Sequence, residues 1–303
     1  MQHADSLEAV SLDKPSVVTI GAFDGVHRGH QKLITELVNE AHADGRAAAV
    51  ICFFPHPDVV LRGITGRYYL TPPDERARLL AELGVDVLVV HPFNDEVRHV
   101  PAAEFVQRLR DHLKMEAIWA TADFAMGFNR EGDIDFLRAQ GVEVYTIEMV
   151  GDGDRISSSA IRAALEEGEV SKAAEWLGRP YRIAGEVIGG AQRGRSIGFP
   201  TATIDIWEEQ VIPANGVYAC RAFLGDETFN AVTNVGVRPT FEGVGVTVEA
   251  HIFDFDRDIY GQTLGLDFIQ RLRGEQKFDG IEALVAQIKQ DADQARVLLG
   301  GLG

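Results

Sequence analysis

The spacing of the apolar segments changes near residue 180, and this change limits the folds open to the chain. Before it, short apolar runs alternate with amphipathic stretches. The runs typical of strands are residues 17–20, 47–54, 85–90, 117–120 and 142–147. Residues 31–41 and 76–83 have the apolar periodicity of helices, and a Thr-Pro-Pro-Asp helix start precedes the second of them. Alternating strands and helices predict a doubly wound α/β domain with a parallel sheet.

After residues 178–180 the strand-like segments become closely spaced, and turn residues separate them. These segments are residues 181–188, 202–206, 217–224, 228–235, 247–255 and 266–272. Helical periodicity returns only near the end of the chain. Its apolar stripe consists of Ile281, Leu284, Val285, Ile288, Ala292, Ala295 and Leu299. We therefore predict two domains, residues 1–180 and 181–303, and the second is an antiparallel β-barrel with a terminal helix.

The composition restricts the partners. With 46% hydrophobic and 25% charged residues, the 303-residue chain is typical of a globular protein with buried cores. Its net charge of -17 disfavours nucleic acids and anionic membranes, so a phosphate-bearing ligand needs local donors or a metal. Cys52 and Cys220 lie far apart in apolar runs, which predicts buried thiols rather than a disulfide or a metal site. The sequence shows no basic leader and no apolar run of membrane length, so we expect a cytoplasmic protein.

The first predicted strand runs directly into the sequence Gly-Ala-Phe-Asp-Gly-Val-His-Arg-Gly-His at residues 21–30, and a predicted helix follows. Glycines allow phosphate to approach the backbone, and the N–H groups at a helix N-terminus attract anions. His27 and His30 are three residues apart, so their imidazoles would project from one face if both lay in the first helical turn. Two such donors suit the charge that forms on an α-phosphate as pyrophosphate leaves. The alternatives are surface histidines after a glycine turn, or a zinc site, for which no third ligand has an obvious spacing.

A serine-rich segment begins a later predicted helix. Ser157, Ser158 and Ser159 place hydroxyls near its N-terminus, and Arg162 places a guanidinium one turn further on. Hydroxyls and arginine together suit triphosphate oxygens. The alternative is a simple serine N-cap with a solvated arginine.

At this separation, the two motifs resemble those of the nucleotidylyltransferase superfamily. The Phe-Pro-His-Pro sequence at residues 54–57 and the helix that contains Glu75 and Arg76 resemble its flavin branch, the bacterial FAD synthetases. The resemblance implies that ATP adenylylates FMN, with His27 and His30 as transition-state donors. The implied ATP contacts are Gly21, Phe23, Asp24, Gly25, Gly29, Ser158, Ser159 and Arg162. The implied flavin or ATP loop consists of Asp123, Phe124 and Gly127, beside Thr121 and Met126, which depart from the family pattern.

The segment 189–203 is rich in glycine and arginine and ends in Pro-Thr-Ala-Thr. The backbone N–H groups of such a loop can surround phosphates, and threonine hydroxyls can reach Mg²⁺. It is not a Walker loop, because it lacks Gly-Lys-Ser/Thr. A flexible basic hairpin loop is the alternative.

A later strand combines an apolar face with a polar one. Its alternation places Val248, Ala250 and Ile252 on one face, with Glu249 and His251 on the other. A carboxylate on a rigid strand is a candidate base for an attacking hydroxyl. The alternative is an ordinary polar outer face.

Several C-terminal motifs resemble riboflavin kinase in order and spacing, and that family has a small antiparallel β-barrel with a C-terminal helix. The motifs are residues 198–202, 234–240, Glu249, 254–261 and 271–278. The resemblance implies transfer of the γ-phosphate of Mg-ATP to the ribityl hydroxyl of riboflavin, with Glu249 as the base. The implied ATP contacts are Gly190, Gly194, Arg195, Gly198, Pro200, Thr201 and Asn234. The implied flavin contacts are Arg271 and Glu275, and the implied Mg²⁺ ligands are Thr201 and Thr203, where the family pattern has asparagine at 203.

Together the resemblances predict a bifunctional enzyme that makes FMN and then FAD, with riboflavin, FMN and ATP as partners and Mg²⁺ as cofactor. One alternative is an enzyme in which only the kinase is efficient, because the loop at residues 121–127 departs from the pattern. The other is a non-catalytic, flavin-binding regulatory protein. The presence of His27, His30 and Glu249 favours turnover over the second alternative.

Overall fold

The computed structural model describes residues 1–147, 156–189, 198–240 and 243–301. Contacts divide the chain into two compact units, Met1–Ser158 and Ser159–Gly303. The boundary between the two enzymatic domains, expected near residue 180, stays a prediction.

The first unit contains the predicted parallel sheet. Its six strands have the order β1-β4-β3-β2-β5-β8, and every neighbouring pair is parallel. The strands of this sheet are β1 (Gln2–Ala4), β2 (Ser16–Gly21), β3 (Ala47–Phe54), β4 (Val87–Pro92), β5 (Met115–Thr121) and β8 (Glu143–Ile147). A short antiparallel pair, β6 (Ala125–Met126) and β7 (Gly132–Asp133), follows β5. The predicted α/β class is confirmed.

Helices cover both faces of this sheet. The helices described in this unit are α1 (Arg28–Ala43), α2 (Pro57–Arg62), α3 (Pro73–Glu82), α4 (Ala102–Leu113) and α5 (Ile134–Ala139). The apolar residues predicted for one face of α1 are buried, and they pack with Val17 of β2. Val18 and Ile20 of the same strand pack with Phe105 and Leu109 of α4. Because alternate residues of β2 enter different cores, the sheet is buried on both sides.

The described residues of the second unit form a closed antiparallel barrel and three helices, which agrees with the predicted fold class. The barrel order is β10-β13-β12-β11-β14-β9. Its strands are β9 (Tyr181–Ile188), β10 (Ala202–Ile206), β11 (Gly216–Leu224), β12 (Glu227–Thr240), β13 (Gly243–Ile252) and β14 (Thr263–Arg273). The helices are α6 (Ser158–Glu166), which starts at the last residue of the first unit, α7 (Val170–Leu177) and α8 (Ile281–Gly300).

Strands β12 and β13 differ from prediction in their lengths. β12 continues through Gly236 and Pro239, beyond its predicted end at residue 235, because its pairing with β13 extends to Thr240 opposite Gly243. Cross-strand pairing here overrides local propensity. β13 ends three residues before the predicted end, and Asp254 has a left-handed backbone with φ of 56°.

Helix α8 packs on the barrel through only part of its predicted stripe. Ala292, Ala295 and Leu299 are buried in one cluster with residues of β11 and β12, whereas Ile281 is 67% exposed. Nearer the middle of the helix, the contact is an ion pair: Arg273 Nη2 lies 2.8 Å from Oδ2 of Asp291, which is 3% exposed. The prediction that Ile281 belongs to the packed stripe was wrong, since its side chain at the start of the helix is exposed.

The predicted burial of both cysteines is confirmed. Cys52 and Cys220 have no exposed surface. Burial raises the pKa of the Cys52 thiol to about 11 and that of Cys220 to about 12, so both stay protonated at neutral pH. None of the helices in the described ranges has the length and apolar character that a bilayer span requires.

A fragment that begins at Ser159 is expected to unfold with a higher free energy than one that begins at Arg182. Helix α7 packs on β9 and β14 and buries Val170 and Leu177, each of which contributes roughly 1.5–3 kcal/mol. Urea unfolding of both fragments measures the difference. We expect both fragments to form FMN from riboflavin and neither to form FAD. Equal unfolding free energies would contradict the stabilising role of α7.

Candidate active sites

The segment between β2 and α1, residues 21–30, is called the histidine loop here. Phe23 and Val26 have φ of 48° and 41°, the left-handed region that side chains with a Cβ rarely adopt. Both are buried, and the ring of Phe23 lies over Gly21, where a Cβ would come within 3.1 Å of it. Strained backbone of this kind persists only where surrounding contacts fix it, and such contacts concentrate at functional sites.

Asp24 supplies several of the fixing contacts. Its carboxylate is buried, and Oδ1 accepts hydrogen bonds from the backbone N–H groups of Leu70, at 2.9 Å, and Thr71, at 3.2 Å. The Thr71 hydroxyl in turn accepts from Gly25 N at 3.2 Å. Asp24 was predicted as an ATP contact. These bonds give its carboxylate a structural function, which the sequence did not reveal because its partners lie 46 residues away.

Two further side chains hold the histidine loop. Arg76 is 1% exposed, and its Nη1 donates to the carbonyl of Ala22 at 3.1 Å. The hydroxyl of Ser158, another predicted ATP contact, donates to the carbonyl of Asp24 at 2.9 Å. The loop is therefore bonded both to α3 and to Ser158, the last residue of the first unit.

His27 and His30 lie together at the start of α1, as the spacing predicted. Their rings are stacked, with centroids 3.6 Å apart and planes inclined by 16°. His27 is the N-cap, and its Nδ1 accepts from His30 N at 3.3 Å. Since an accepting Nδ1 has no proton, the proton of neutral His27 is on Nε2, which is a donor. Gly29 lies between the two histidines in the first turn, where the N–H groups of the helix attract anions.

The electrostatics at this pair favour a neutral imidazole at His30. Burial, followed by the nearby charge that His27 would carry, holds the pKa of His30 well below its ordinary value. Among the described residues, the buried Nδ1 of His30 has no hydrogen-bond partner. The ring of His30 therefore supplies an N–H donor rather than a fixed positive charge.

The Phe-Pro-His-Pro segment at residues 54–57 contacts two tyrosines, Tyr68 and Tyr69, for which the sequence predicted no role. The backbone N–H of His56 donates to Tyr69 Oη at 2.8 Å, and the ring of His56 meets Tyr68 edge-on at 5.2 Å. Tyr68 Oη also donates to Asp58 Oδ2 at 3.1 Å. The Phe-Pro-His-Pro segment is thus fixed against residues 68–69, directly before the Leu70 and Thr71 amides that bind Asp24. Local sequence patterns do not predict contacts between residues that lie more than ten positions apart, such as His56 and Tyr69.

The loop at residues 121–127 owes its glycine to close packing. Gly127 has φ of 75°, and a Cβ there would lie 2.6 Å from backbone atoms of Ala102. Phe124 packs against the core between the sheet and α4. Asp123 is exposed, and its backbone carbonyl accepts a hydrogen bond from Arg130 Nη2 at 3.0 Å. The flavin or ATP contacts assigned to this loop stay predictions.

Ser159 and Arg162 lie in the first two turns of α6, as predicted. Ser159 is exposed and Arg162 is half-buried. Their role at the triphosphate stays a prediction.

The second candidate site is a row of side chains across three neighbouring barrel strands, called the Glu249 row here. Glu249 of β13 is paired with Thr203 of β10 on one side and with Asn234 of β12 on the other. Directly paired residues share a face of the sheet. Val248, Ala250 and Ile252 are 0%, 1% and 5% exposed on the opposite face, so the predicted alternation is confirmed. Thr203 is buried, Glu249 is half-buried and Asn234 is exposed.

Glu275 lies at one end of the Glu249 row. A Cβ on Gly236, two residues after Asn234, would come within 2.9 Å of Glu275 Oε1 and 3.1 Å of Asn234 Nδ2. The other oxygen, Oε2, accepts from Asn215 Nδ2 at 3.1 Å. The structure therefore brings Glu275 and Asn234, two predicted ligand contacts, to the same part of the barrel.

Arg271, predicted as a flavin contact, makes structural bonds. Its Nη2 donates to the carbonyl of Asn215 at 2.7 Å, and its Nη1 donates to the carbonyl of Glu167 at 3.1 Å. It thus connects the end of α6 with the loop before β11, and the flavin contact stays a prediction.

The loop before β10 meets the Glu249 row at its other end. Gly190, Gly194 and Arg195 lie outside the described residues, whereas Gly198, Pro200 and Thr201 are described and exposed. The carbonyl of Pro200 is 2.8 Å from Nδ1 of His251, on the same face of β13 as Glu249. Sequence reasoning assigned no function to His251.

The donors in this part of the barrel suit Mg²⁺ only in combination with a phosphate ligand. No group of three or more His, Cys, Asp or Glu side chains among the described residues could hold a metal ion by itself. Glu249, which has a carboxylate, lies directly opposite Thr203, which has a hydroxyl, in the pairing of β13 with β10. Such a set fits Mg²⁺, which commonly takes one or two protein oxygens and completes its shell with water and phosphate oxygens.

Comparison with known proteins agrees with the division of motifs. Residues 10–160 match the family model for FAD synthetase, and residues 177–299 match that for riboflavin kinase. A bifunctional riboflavin kinase/FMN adenylyltransferase of Listeria monocytogenes is 38% identical over 96% of this chain and 94% of its own length. One from Pseudomonas fluorescens is 39% identical, with coverage of 93% and 92%. One from Bacillus subtilis is 36% identical, with coverage of 92% and 91%.

A solved structure also covers both units. It is the crystal structure of a Streptococcus pneumoniae protein described as a macrolide-efflux protein, 31% identical, with a TM-score of 0.89. The match covers 97% of this chain and 98% of that one. Taken with the two family matches and the full-length relatives, this shows that the chain belongs to the bifunctional riboflavin kinase/FMN adenylyltransferases, the bacterial FAD synthetases.

Proposed function

We propose that FMN adenylylation takes place at the histidine loop and riboflavin phosphorylation at the Glu249 row. The observation that carries this assignment is the set of side chains that each of the two sites presents. One presents a stacked pair of imidazole donors at a helix N-terminus, and the other presents a carboxylate on a rigid strand beside a threonine hydroxyl. The first suits a transition state that gains negative charge, and the second suits deprotonation of a hydroxyl.

In the adenylyl transfer, a phosphate oxygen of FMN attacks the α-phosphorus of ATP. The bond from that phosphorus to the pyrophosphate oxygen breaks, and FAD and pyrophosphate form. His27 and His30 donate to the oxygens that gain charge, and the helix N-terminus stabilises the same charge. Ser159 and Arg162 bind the triphosphate in this proposal, which rests on their sequence motif. No covalent enzyme intermediate is needed, because alignment and charge stabilisation carry the reaction.

In the phosphoryl transfer, Glu249 accepts the proton of the ribityl hydroxyl as that oxygen attacks the γ-phosphorus of ATP. The bond to the β-phosphate oxygen breaks, so the products are FMN and ADP. Thr201 and Thr203 are the residues that would hold Mg²⁺ together with the ATP phosphates, where the ion would supply positive charge. Asn234 and the loop at Gly198, Pro200 and Thr201 bind ATP. FMN then serves as the substrate of the adenylyl transfer.

Incubation with riboflavin, ATP and Mg²⁺, followed by chromatographic separation of the flavins, tests the proposal. FMN should appear first and FAD after it. FMN without FAD would favour the alternative in which only the kinase is efficient, and the altered loop at residues 121–127 would then be the first place to examine. Absence of both products would favour a regulatory flavin-binding protein.

The variant Thr203→Asn is expected to need less Mg²⁺ for half-maximal FMN formation. Asparagine has a longer side chain with a carbonyl oxygen, so it reaches the ion or its water more directly than the threonine hydroxyl does. One added polar contact of about 0.5–1.5 kcal/mol corresponds to roughly a two- to tenfold shift. The measurement is FMN formation against Mg²⁺ concentration at fixed ATP. A half-saturating concentration that stays the same or rises would remove residue 203 from the metal site and leave Thr201 as the protein ligand.

A further inference from the structure

The side chain of His251 on β13 bonds to the chain just before β10, where the backbone pairing of these two strands ends. In the pairing of β10 with β13, Ala202 is opposite Ala250 and Thr203 is opposite Glu249. The chain before Ala202 is the loop that contains Thr201. Its Pro200 carbonyl lies 2.8 Å from His251 Nδ1. A carbonyl oxygen can only accept, so Nδ1 carries a proton and donates it.

Aromatic contacts fix the ring that makes this bond. The His251 ring meets Phe199 edge-on, with centroids 5.3 Å apart and planes inclined by 74°. It meets Phe253 at 5.8 Å and 68°. Phe199 directly precedes Pro200, so the histidine contacts both the side chain of one loop residue and the carbonyl of the next. Edge-on aromatic contacts are energetically favourable, so the two contacts favour the ring orientation in which Nδ1 faces Pro200.

We infer that His251 is a positioning residue of the kinase site, which sets the ATP loop at Pro200 and Thr201 against the base Glu249. One strand then carries both parts: Glu249 is paired with Thr203, and His251, two residues later on the same face, donates to Pro200. Thr201 lies between these two fixed points. The inference rests on the proposed roles of Glu249 and Thr201, and it adds the side chain that maintains their spacing.

The variants His251→Phe and His251→Asn separate the hydrogen bond from the ring packing. Phenylalanine keeps an aromatic ring beside Phe199 and Phe253 but has no donor. Asparagine places an N–H near the position of Nδ1 but has no ring. We expect His251→Phe to lower kcat/KM for ATP in FMN formation about 10- to 100-fold, the order of loss that a misplaced reacting group causes. His251→Asn should recover most of this loss, and both variants should adenylylate supplied FMN at the wild-type rate.

The dependence of the kinase rate on pH shows whether His251 transfers a proton, and loss of ring packing alone does not change the shape of this profile. A residue that only donates to a carbonyl transfers no proton in the reaction, so the kinase profile of His251→Asn should keep the wild-type shape. A missing limb in that profile would make His251 an acid or base and overturn the inference. The inference would also be overturned if His251→Asn lost kinase activity while His251→Phe kept it. Packing, and not hydrogen bonding, would then be the function of the ring.

The variant Glu249→Gln separates failure of this inference from failure of the site itself. If Glu249→Gln still forms FMN at the wild-type rate, the proposed kinase site is wrong. If it loses FMN formation while His251→Phe keeps all kinase constants, only the positioning role of His251 is wrong.

Discussion

Replacing His27 or His30 with alanine is expected to slow FAD formation from FMN about 100-fold or more, the loss typical of one removed transition-state donor. Phosphorylation of riboflavin should continue at the wild-type rate. The physical reason is that each ring contributes one N–H toward the charge on the α-phosphate. The measurement is the rate of FAD formation with FMN supplied, beside the rate of FMN formation from riboflavin.

The two variants should differ in stability. His27 is the N-cap of α1, so His27→Ala also removes a bond to the His30 amide and should cost about 0.5–2 kcal/mol of unfolding free energy. The variant His42→Ala is a matched control, because His42 lies in the last turn of the same helix and its ring bonds to the half-buried Asp86. It should keep both activities. An equal slowing of the kinase by His27→Ala or His30→Ala would mean that the sites are misassigned or that the two activities are coupled.

The sequence predicted the elements whose signal is local. The stripe of α1, the alternation around Glu249 and the strands β9 and β10 lie where periodicity placed them. The spacing of His27 and His30 also predicted their proximity, because two residues three apart on a helix share a face.

The missed features depend on partners that are distant in the sequence. The buried carboxylate of Asp24 accepts from the amide of Leu70, 46 residues away. Arg76 of α3 donates to the carbonyl of Ala22 in the histidine loop. Gly236 continues a strand because β13 pairs with it. His251 was assigned to the polar face of its strand, but only the fold shows that this face meets the carbonyl of Pro200. Local patterns contain no record of such contacts.

The variant Glu249→Gln is expected to slow FMN formation by about 100- to 10,000-fold, the range for loss of a general base. Glutamine has nearly the same shape and can still bond to its neighbours in the Glu249 row, but it cannot accept the proton of the ribityl hydroxyl. The loss should therefore appear in kcat, with less change in KM for riboflavin. Adenylylation of supplied FMN should be unaffected.

The matched control is Glu186→Gln, which removes an exposed carboxylate from β9 of the same barrel and should leave both activities unchanged. The pair distinguishes chemistry from electrostatics. If only the net charge of the barrel matters, both variants should alter FMN formation by similar small factors. If Glu249 accepts the proton, only its own variant should lose activity, and raising the pH should restore part of it, because hydroxide can then take the proton that the missing carboxylate would have accepted.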